Sequence, residues 1–142
     1  MGLRITEKAV SRIVAVAAAS VPGTTELGRS LERIAGRTYP RYDVIVDDTA
    51  GTCSIEAFIA VLWPSPVTAV AEAVRTTIAH AVEDMTGLTV TRVNVVVGPV
   101  VTGRPVTAAH VAAHPTRPSL RPVTAPAPVQ LRPVTVRRHR VR

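Results

Sequence analysis

The chain has 142 residues, enough for one domain with a modest core, and its aromatic content of 3% means that this core must be aliphatic. The longest uninterrupted apolar run, at residues 13–19, is much shorter than the ~20 residues that cross a bilayer, and the N-terminus does not resemble a signal peptide. Cys53 is the single cysteine, which excludes an intramolecular disulfide and fits a reducing compartment. These observations predict a soluble cytoplasmic protein.

The first helix is predicted from apolar residues that recur at spacings of three and four. Thr6 is expected to cap its N-terminus, and the sequence SVPG at residues 20–23 is expected to end it because proline and glycine together make a turn. The residues that should face the core are Ala9, Val10, Ile13, Val14 and Ala17. A second, short helix is predicted at residues 25–36.

Two strands and a hairpin follow. Residues 42–46 alternate in polarity and predict one strand, and residues 52–63 predict a longer one that ends at Pro64. Between them, DDTAG reads as a hairpin turn in which Gly51 is free to take a positive φ.

The second main helix is predicted to begin with Ser65 as its cap and Pro66 at its first position, and to end at Gly87 in a left-handed conformation. Its apolar stripe comprises Val67, Val70, Val74, Ile78, Val82 and Met85. Residues 89–97 predict the last strand. The fold class is therefore α+β in the order α-β-β-α-β, a small three-stranded sheet with two main helices on one face and the 52–63 strand at its centre.

This arrangement assigns a side of the sheet to each strand residue. The inward set is Cys53, Ile55, Ala57, Ile59, Val61, Trp63, Val93, Val95 and Val97. The outward set is Ser54, Glu56, Phe58, Ala60, Leu62, Val90, Arg92, Asn94 and Val96. Because the outward set is apolar at one end and the sheet has an unpaired edge, we expect homo-oligomers that form through Phe58 and Leu62.

Charge separates this domain from the rest of the chain. Residues 1–98 hold nine basic and ten acidic residues, whereas residues 99–142 hold eight arginines, eight prolines and no acid. Prolines at this density remove backbone donors, and few large apolar groups are available to form a core. We predict a disordered tail at 99–142 with polyproline-like stretches, and one frayed turn of helix within 107–114. The tetrapeptide RPVT occurs three times, at residues 104–107, 121–124 and 132–135.

The stretch EDMTGLTVTRVNVVV, residues 83–97, joins a helix that ends in Met-Thr-Gly to a strand of the pattern Val-x-x-Val-Asn-Val. With the VPG after an Ala-rich helix, the hairpin and the proline-initiated helix, it resembles the alkaline shock protein family of bacterial envelope-stress proteins over residues 2–97. Two features depart from that family: LWPSP at residues 62–66, where a Tyr-Gly is usual, and the Arg/Pro-rich tail.

The resemblance implies a small, abundant, non-enzymatic protein of the cytoplasm that is linked to alkaline or cell-envelope stress. Some members are held at the membrane through a partner protein, and some self-assemble. No catalytic residue carries over from the family.

Each candidate chemical site has a simpler structural explanation. His80 with Asp84 reads as an exposed helical ion pair rather than as a metal or acid–base pair. Asp47 and Asp48, which could bind a cation with Glu56, are typical of a hairpin turn. The remaining candidates are Cys53, which reads as a half-buried strand residue, and His110, His114 and His139, whose spacing matches no zinc motif. We expect no enzyme activity, cofactor or metal.

With enzyme activity set aside, binding functions remain. The composition of the tail bears on which of them applies. The C-terminal VRRHRVR supplies Arg137, Arg138, Arg140 and Arg142, each of which could contribute about 1 kcal/mol at an anionic bilayer. We expect an envelope-stress protein that self-associates, contacts a partner that is itself anchored in the membrane, and touches anionic lipid weakly at the inner membrane surface. A nucleic-acid-associated protein is the alternative, but without aromatic residues after 98 its binding would be unspecific. A tail that only solubilises the domain is the third reading.

Overall fold

The computed structural model describes residues 5–27 and 38–116. Within them the fold is α+β, with three helices and four strands. In chain order these are α1 (Glu7–Ala19), β1 (Thr24–Thr25), β2 (Arg41–Asp47), β3 (Thr52–Trp63), α2 (Val67–Thr86), β4 (Thr89–Thr102) and α3 (Ala108–Ala112).

β3 lies at the centre of the sheet, as the sequence predicts. β4 pairs with it in parallel along its whole length, so β2 and β1 share its other edge, both antiparallel to it. The tight β2–β3 turn makes a hairpin, whereas the parallel β3–β4 pair needs the long crossover that α2 supplies. The sheet therefore has four strands rather than the expected three, because the two-residue β1 was not predicted.

α1 and α2 pack over one face of the sheet and close a single aliphatic core. Thr6 caps α1 as expected, since its Oγ1 accepts a hydrogen bond from the amide of Ala9 at 3.1 Å. The core is formed by Val10 and Val14 of α1, Val70, Val74, Ile78 and Val82 of α2, and Ile55, Ala57, Ile59 and Val61 of β3.

The start of α2 differs from the prediction. Ser65 does not cap the helix; its hydroxyl donates instead to the carbonyl of Leu62 at 2.6 Å, and Pro66 occupies the cap position without a side-chain bond. The end is as expected, because Gly87 adopts φ 74° and its amide bonds to the carbonyl of Glu83. Met85 does not join the buried stripe, since it lies beyond the last turn that covers the core and is 66% exposed.

The prediction of a helix at residues 25–36 is wrong for its first residues. Thr25 belongs to β1, and Leu27 exchanges two backbone hydrogen bonds of 2.9 Å with Tyr39. Gly23, with φ 98°, directs the chain along β3, where its carbonyl accepts a 2.7 Å bond from the amide of Leu62. The rest of the predicted helix lies outside the described residues.

Two irregularities in the β3–β4 pairing change which side chains face the core. The register shifts between Cys53 and Ser54, which leaves Thr91 as an extra residue in β4. Val90 therefore packs against the core instead of facing outward, while Val93, Val95 and Val97 pack inward as predicted. At the far end of β3, Trp63 is 54% exposed, because it extends past the helices that cover the other inward residues.

Ordered structure extends beyond the predicted domain boundary at Gly98. β4 runs through Pro99 to Thr102, and α3 follows with Val111 buried and Val106 partly buried against the core. Proline is tolerated in β4 because this strand pairs only with β3 among the described strands, and a second register shift falls there. The disorder expected from residue 99 onward is therefore wrong for residues 99–116. Helical structure within 107–114 is confirmed.

Candidate functional site

The outer face of the sheet, on the side away from α1 and α2, carries the residues predicted to self-associate. The strand register arranges its side chains in three rows across β2, β3 and β4. The rows are Arg41–Phe58–Val96, Asp43–Glu56–Asn94 and Ile45–Ser54–Arg92. The first row therefore joins a cation to aromatic and aliphatic groups, the second is acidic and polar, and the third holds Ile45 and Arg92 on either side of Ser54.

Phe58 and Leu62 both lie on this outer face, but the chain itself partly covers them. The guanidinium of Arg41 stacks over the Phe58 ring, 4.5 Å from its centroid, which is a cation–π contact. Leu62 is half-buried and packs closely against Gly103. A Cβ added to Gly103 would lie only 2.7 Å from Leu62 Cδ2. Their free apolar area is smaller than the sequence predicts.

Ala60, between these two residues, is fully buried although it was expected to face solvent. Tyr39 approaches the same region, and an added Cβ at Gly98 of β4 would lie 2.8 Å from its ring. Only glycine permits this approach without a shift of the ring. The segment before β2 thus covers part of the face that a three-stranded sheet would leave open.

Two apolar side chains on the outer face remain accessible. Ile45 of β2 is 67% exposed and Val96 of β4 is 39% exposed. Neither was singled out from the sequence, although the alternation of β2 places Ile45 on the same side as Asp43.

A second candidate surface lies on the opposite side of the molecule. We call it the helical groove: an apolar depression of about 480 Å³ between α1 and α2, closed on one side by the segment after α3. Its lining residues are Arg12, Ile13, Val16, Ala17, Ser20, Thr77, Ala81, Met85, His114 and Pro115. Val16 is 74% exposed within it. Sequence reasoning missed this surface, although the almost continuous apolar run of α1 is a signal that more than one of its faces is covered.

The acidic candidates of the hairpin, Asp47 and Glu56, lie apart, and Asp47 has a structural role. Oδ1 of Asp47 accepts bonds from the amides of Thr49 and Ala50 at 3.0 and 3.1 Å, which is the turn function expected of it. Glu56 lies four residues along the hairpin from Asp47, roughly 13 Å at strand spacing. Across the described part of the chain, no group of three or more His, Cys, Asp or Glu residues is arranged to hold a metal ion.

His80 and His114 each contact another part of the chain. Nδ1 of His80 lies 3.3 Å from the carbonyl oxygen of Thr116, so His80 is not the simple exposed helical residue that was expected. Nε2 of His114 lies 3.4 Å from Ser20 Oγ, and burial lowers the pKa of His114. Residues 114–116 thus bridge α1 and α2.

Cys53 is buried rather than half-buried. Burial, with the charge of Glu83 as a smaller cause, raises the pKa of its thiol. A thiol that stays protonated at neutral pH is a poor nucleophile and metal ligand. Cys53 is therefore a core residue, and the structure gives it no chemical role.

Arg137, Arg138, Arg140 and Arg142, the predicted anionic-surface residues, lie outside the described residues, as does His139. Within the described ranges, no helix is both long enough and apolar enough to span a bilayer.

Comparison with known proteins bears on the domain described above. The model of the family of alkaline shock protein 23, described as having a cell envelope-related function, matches residues 1–102. No curated protein and no solved structure matches the chain. The matched range includes β4 up to its last residue and confirms the resemblance seen in residues 83–97. The chain therefore belongs to the alkaline shock protein 23 family, and its function is related to the cell envelope.

Proposed function

We propose that the protein is a non-enzymatic response protein of envelope and alkaline stress, which acts by self-association and partner binding at the inner membrane surface. The observation that supports self-association is the outer face of the sheet, over which no helix packs in the described part of the chain. It presents apolar side chains beside charges of both signs, a composition that fits a reversible protein interface.

The exposed fraction of each side chain determines how much it can contribute to an interface on the outer face. Burying a fully exposed large aliphatic side chain is worth roughly 1.5 to 3 kcal/mol, so Ile45, which is 67% exposed, gains more from an interface than the partly covered Phe58 and Leu62, and Val96, which is 39% exposed, adds a smaller share. The charged side chains of two neighbouring rows add complementarity, because a copy rotated by two-fold symmetry can set Arg92 against Asp43 or Glu56. Phe58 then lies beside Val96 on the central strand of the interface, and Leu62 lies farther along β3.

Light scattering on the full chain tests self-association. Ile45→Asp combined with Val96→Asp should convert oligomers into folded monomers, because both substitutions place an unpaired carboxylate in the interface. Val16→Asp, at a more exposed valine on the helical side, is the matched control and should leave the oligomer intact. Phe58→Asp with Leu62→Asp is a weaker test, because Leu62 packs against Gly103 and its loss also threatens the fold.

A wild-type chain that is monomeric at tens of micromolar would refute self-association. If Val16→Asp alone dissociates the oligomer, the helical side is the interface and the sheet is not.

The membrane contact is proposed to come from the C-terminal arginines. Four arginines within seven residues provide weak, reversible attraction to anionic lipid, which becomes effective when oligomers present several tails together. Replacing Arg137, Arg138, Arg140 and Arg142 with Gln should abolish co-sedimentation with anionic vesicles at low salt. Neutral vesicles are the control.

Duplex DNA at matched charge distinguishes the alternative, a nucleic-acid-associated protein. If the chain binds DNA much more tightly than anionic vesicles, the tail is a nucleic-acid-binding segment and the proposed membrane contact is wrong. If the chain binds neither, the tail only solubilises the domain.

A further inference from the structure

The helical groove has the length of a short extended peptide. Its two walls, residues 12–20 of α1 with its C-cap and residues 77–85 of α2, are nine residues long each, and the eight helical rises between their ends correspond to about 12 Å. The groove is aliphatic, and Val16 and Met85 at its rim are mostly exposed. An occupant about 12 Å long with two apolar side chains on one side would cover it.

Thr77 is an independent sign that the groove accepts a polar backbone. This residue is only 4% exposed, and its hydroxyl has no hydrogen-bond partner among the described residues. An unsatisfied buried hydroxyl is destabilising, because it has lost its hydrogen bonds to water without gaining a partner. Threonine in a helix has two accessible χ1 positions, and a peptide carbonyl in the groove would give the hydroxyl an acceptor in one of them.

The chain itself leads into this groove. His114 and Pro115 form part of its lining, and Thr116 ends the described residues at His80 of α2. Twenty-six further residues, 117–142, continue from this point. A segment attached so close has a millimolar effective concentration, so even weak contacts would keep it in place.

The RPVT repeat supplies a suitable sequence, and its first copy already packs on the domain. In residues 104–107, the amide of Val106 donates to the carbonyl of Pro64 at 2.9 Å and its side chain packs against the core. Thr107 Oγ1 then accepts from the amide of His110 and caps α3. The motif therefore presents its valine to an apolar surface while its backbone makes the polar contact.

The two later copies both read LRPVT, at residues 120–124 and 131–135, and so add a leucine three positions before the valine. Polyproline II has three residues per turn, so Leu120 and Val123 project from the same side about 9 Å apart. Its backbone makes no internal hydrogen bonds, which leaves carbonyls free for Thr77. Leu120 is four residues beyond Thr116, an extended reach of about 12 Å.

We propose that residues 120–123 of the same chain occupy the helical groove as a polyproline II segment, with Leu120 and Val123 against Val16 and Met85. The nearer copy is favoured over residues 131–134 because its shorter tether gives the higher effective concentration.

Methyl NMR on the full chain tests this assignment. The chain has two methionines, Met1 and Met85, so ¹³C-methyl-methionine labelling gives one signal from the groove and one reference signal from the N-terminal residue. Leu120→Ser with Val123→Ser should move the Met85 resonance by more than its line width and leave Met1 in place. Leu131→Ser with Val134→Ser, the same change in the other copy, is the matched control and should move neither signal.

Three results would overturn the proposal. An unmoved Met85 signal in the first variant means that this segment does not occupy the groove. A Met85 shift that is equal or larger in the second variant assigns the groove to the later copy. A Met85 resonance in the wild type that reverts to the variant position on dilution means that the segment comes from a second molecule. Thermal unfolding of both variants, which are altered only beyond the described domain, checks that their fold is intact.

Discussion

Gly23 and Gly51 have positive φ angles of 98° and 67°, but only one of them has room for a side chain. At Gly23 an added Cβ would lie 2.7 Å from Cγ2 of Val70 in the core of α2, whereas at Gly51 nothing lies within 4 Å. The hairpin glycine is therefore needed for its conformation, and Gly23 is needed for its conformation and for close packing.

This difference can be measured with matched substitutions. Gly51→Ala should lower the free energy of unfolding by about 1 kcal/mol, the cost of a left-handed alanine. Gly23→Ala should lower it by about 2 to 4 kcal/mol, because overpacking against Val70 adds to that cost. Urea denaturation of both variants and the wild type makes the comparison, and equal losses would contradict the packing argument.

Tyr42 links stability to alkaline pH. Its hydroxyl is buried with no hydrogen-bond partner among the described residues, and desolvation, with a smaller effect from Glu26, raises the pKa of Tyr42 to about 12. Between the unfolded pKa of about 10 and the folded value, the folded state binds more protons than the unfolded state. The stabilising contribution of the neutral phenol is thus complete below pH 10 and is lost as the pH rises towards 12.

Tyr42→Phe should therefore flatten the fall in stability above pH 10. We expect the wild type to lose about 1 to 2 kcal/mol more than the variant between pH 10 and pH 12, after allowance for solvent screening at this half-buried group. Parallel urea titrations at the two pH values provide the measurement. The buried Cys53 thiol, whose pKa is also raised, is common to both proteins and cancels in the difference. Identical pH profiles would show that Tyr42 does not carry this dependence.

At the scale of elements, α2 combines a well-formed C-terminus with a weak N-terminus. Gly87 closes the helix in the left-handed conformation, but Pro66 provides no side-chain cap and the first turn contains no acidic residue. The amides of residues 67–69 lack intrahelical partners, since Pro66 has no N–H and Val70 is the first residue whose amide bonds back, and the positive end of the helix dipole is uncompensated. Packing of its valines and Ile78 against β3 holds the helix in place instead.

Thr68→Glu, at an exposed position in the first turn, should raise the free energy of unfolding by about 0.3 to 1 kcal/mol at low salt. Thr68→Gln, which has the same shape without the charge, is the control and should gain less. Added salt should reduce the difference between Glu and Gln. If Gln stabilises as much as Glu, helix propensity accounts for the gain and the dipole does not.

At the scale of the whole molecule, the segment after β4 belongs to the domain. Val111 is buried, Val106 is half-buried against the core, and the amide of Gly103 bonds to the carbonyl of Trp63 at 3.0 Å. The match to the family model ends at residue 102, so α3 lies outside the matched region.

Two truncated chains therefore test where the domain ends. Composition predicts a boundary at Gly98, whereas the fold requires the residues up to α3. Ending the chain after Gly98 removes the last part of β4 with Val106 and Val111, and should lower the free energy of unfolding by at least about 3 kcal/mol. Ending it after Thr116 should lower that free energy by less than the first truncation does, since no described core residue is lost and only the proposed groove segment is removed. Thermal unfolding of the two truncated chains beside the full chain decides between them.

The sequence alone determined the elements whose signals are local. Helix spacing and the Thr6 cap predict α1, alternation and the Asp47–Gly51 turn predict the β2–β3 hairpin, and Gly87 predicts the end of α2. The motif in residues 83–97 identified the family. These features rest on backbone preferences of neighbouring residues, which a sequence displays directly.

Tertiary structure decided what depends on distant contacts. The bulge at Thr91 turns Val90 inward, Tyr39 covers the sheet beside Ala60, and β4 continues through Pro99 because pairing with β3 outweighs the low strand propensity of Gly98 and Pro99. The helical groove exists only because α1, α2 and residues 114–116 meet there. Local periodicity does not predict these tertiary contacts, because they are stabilised by burial between segments that are far apart in the chain.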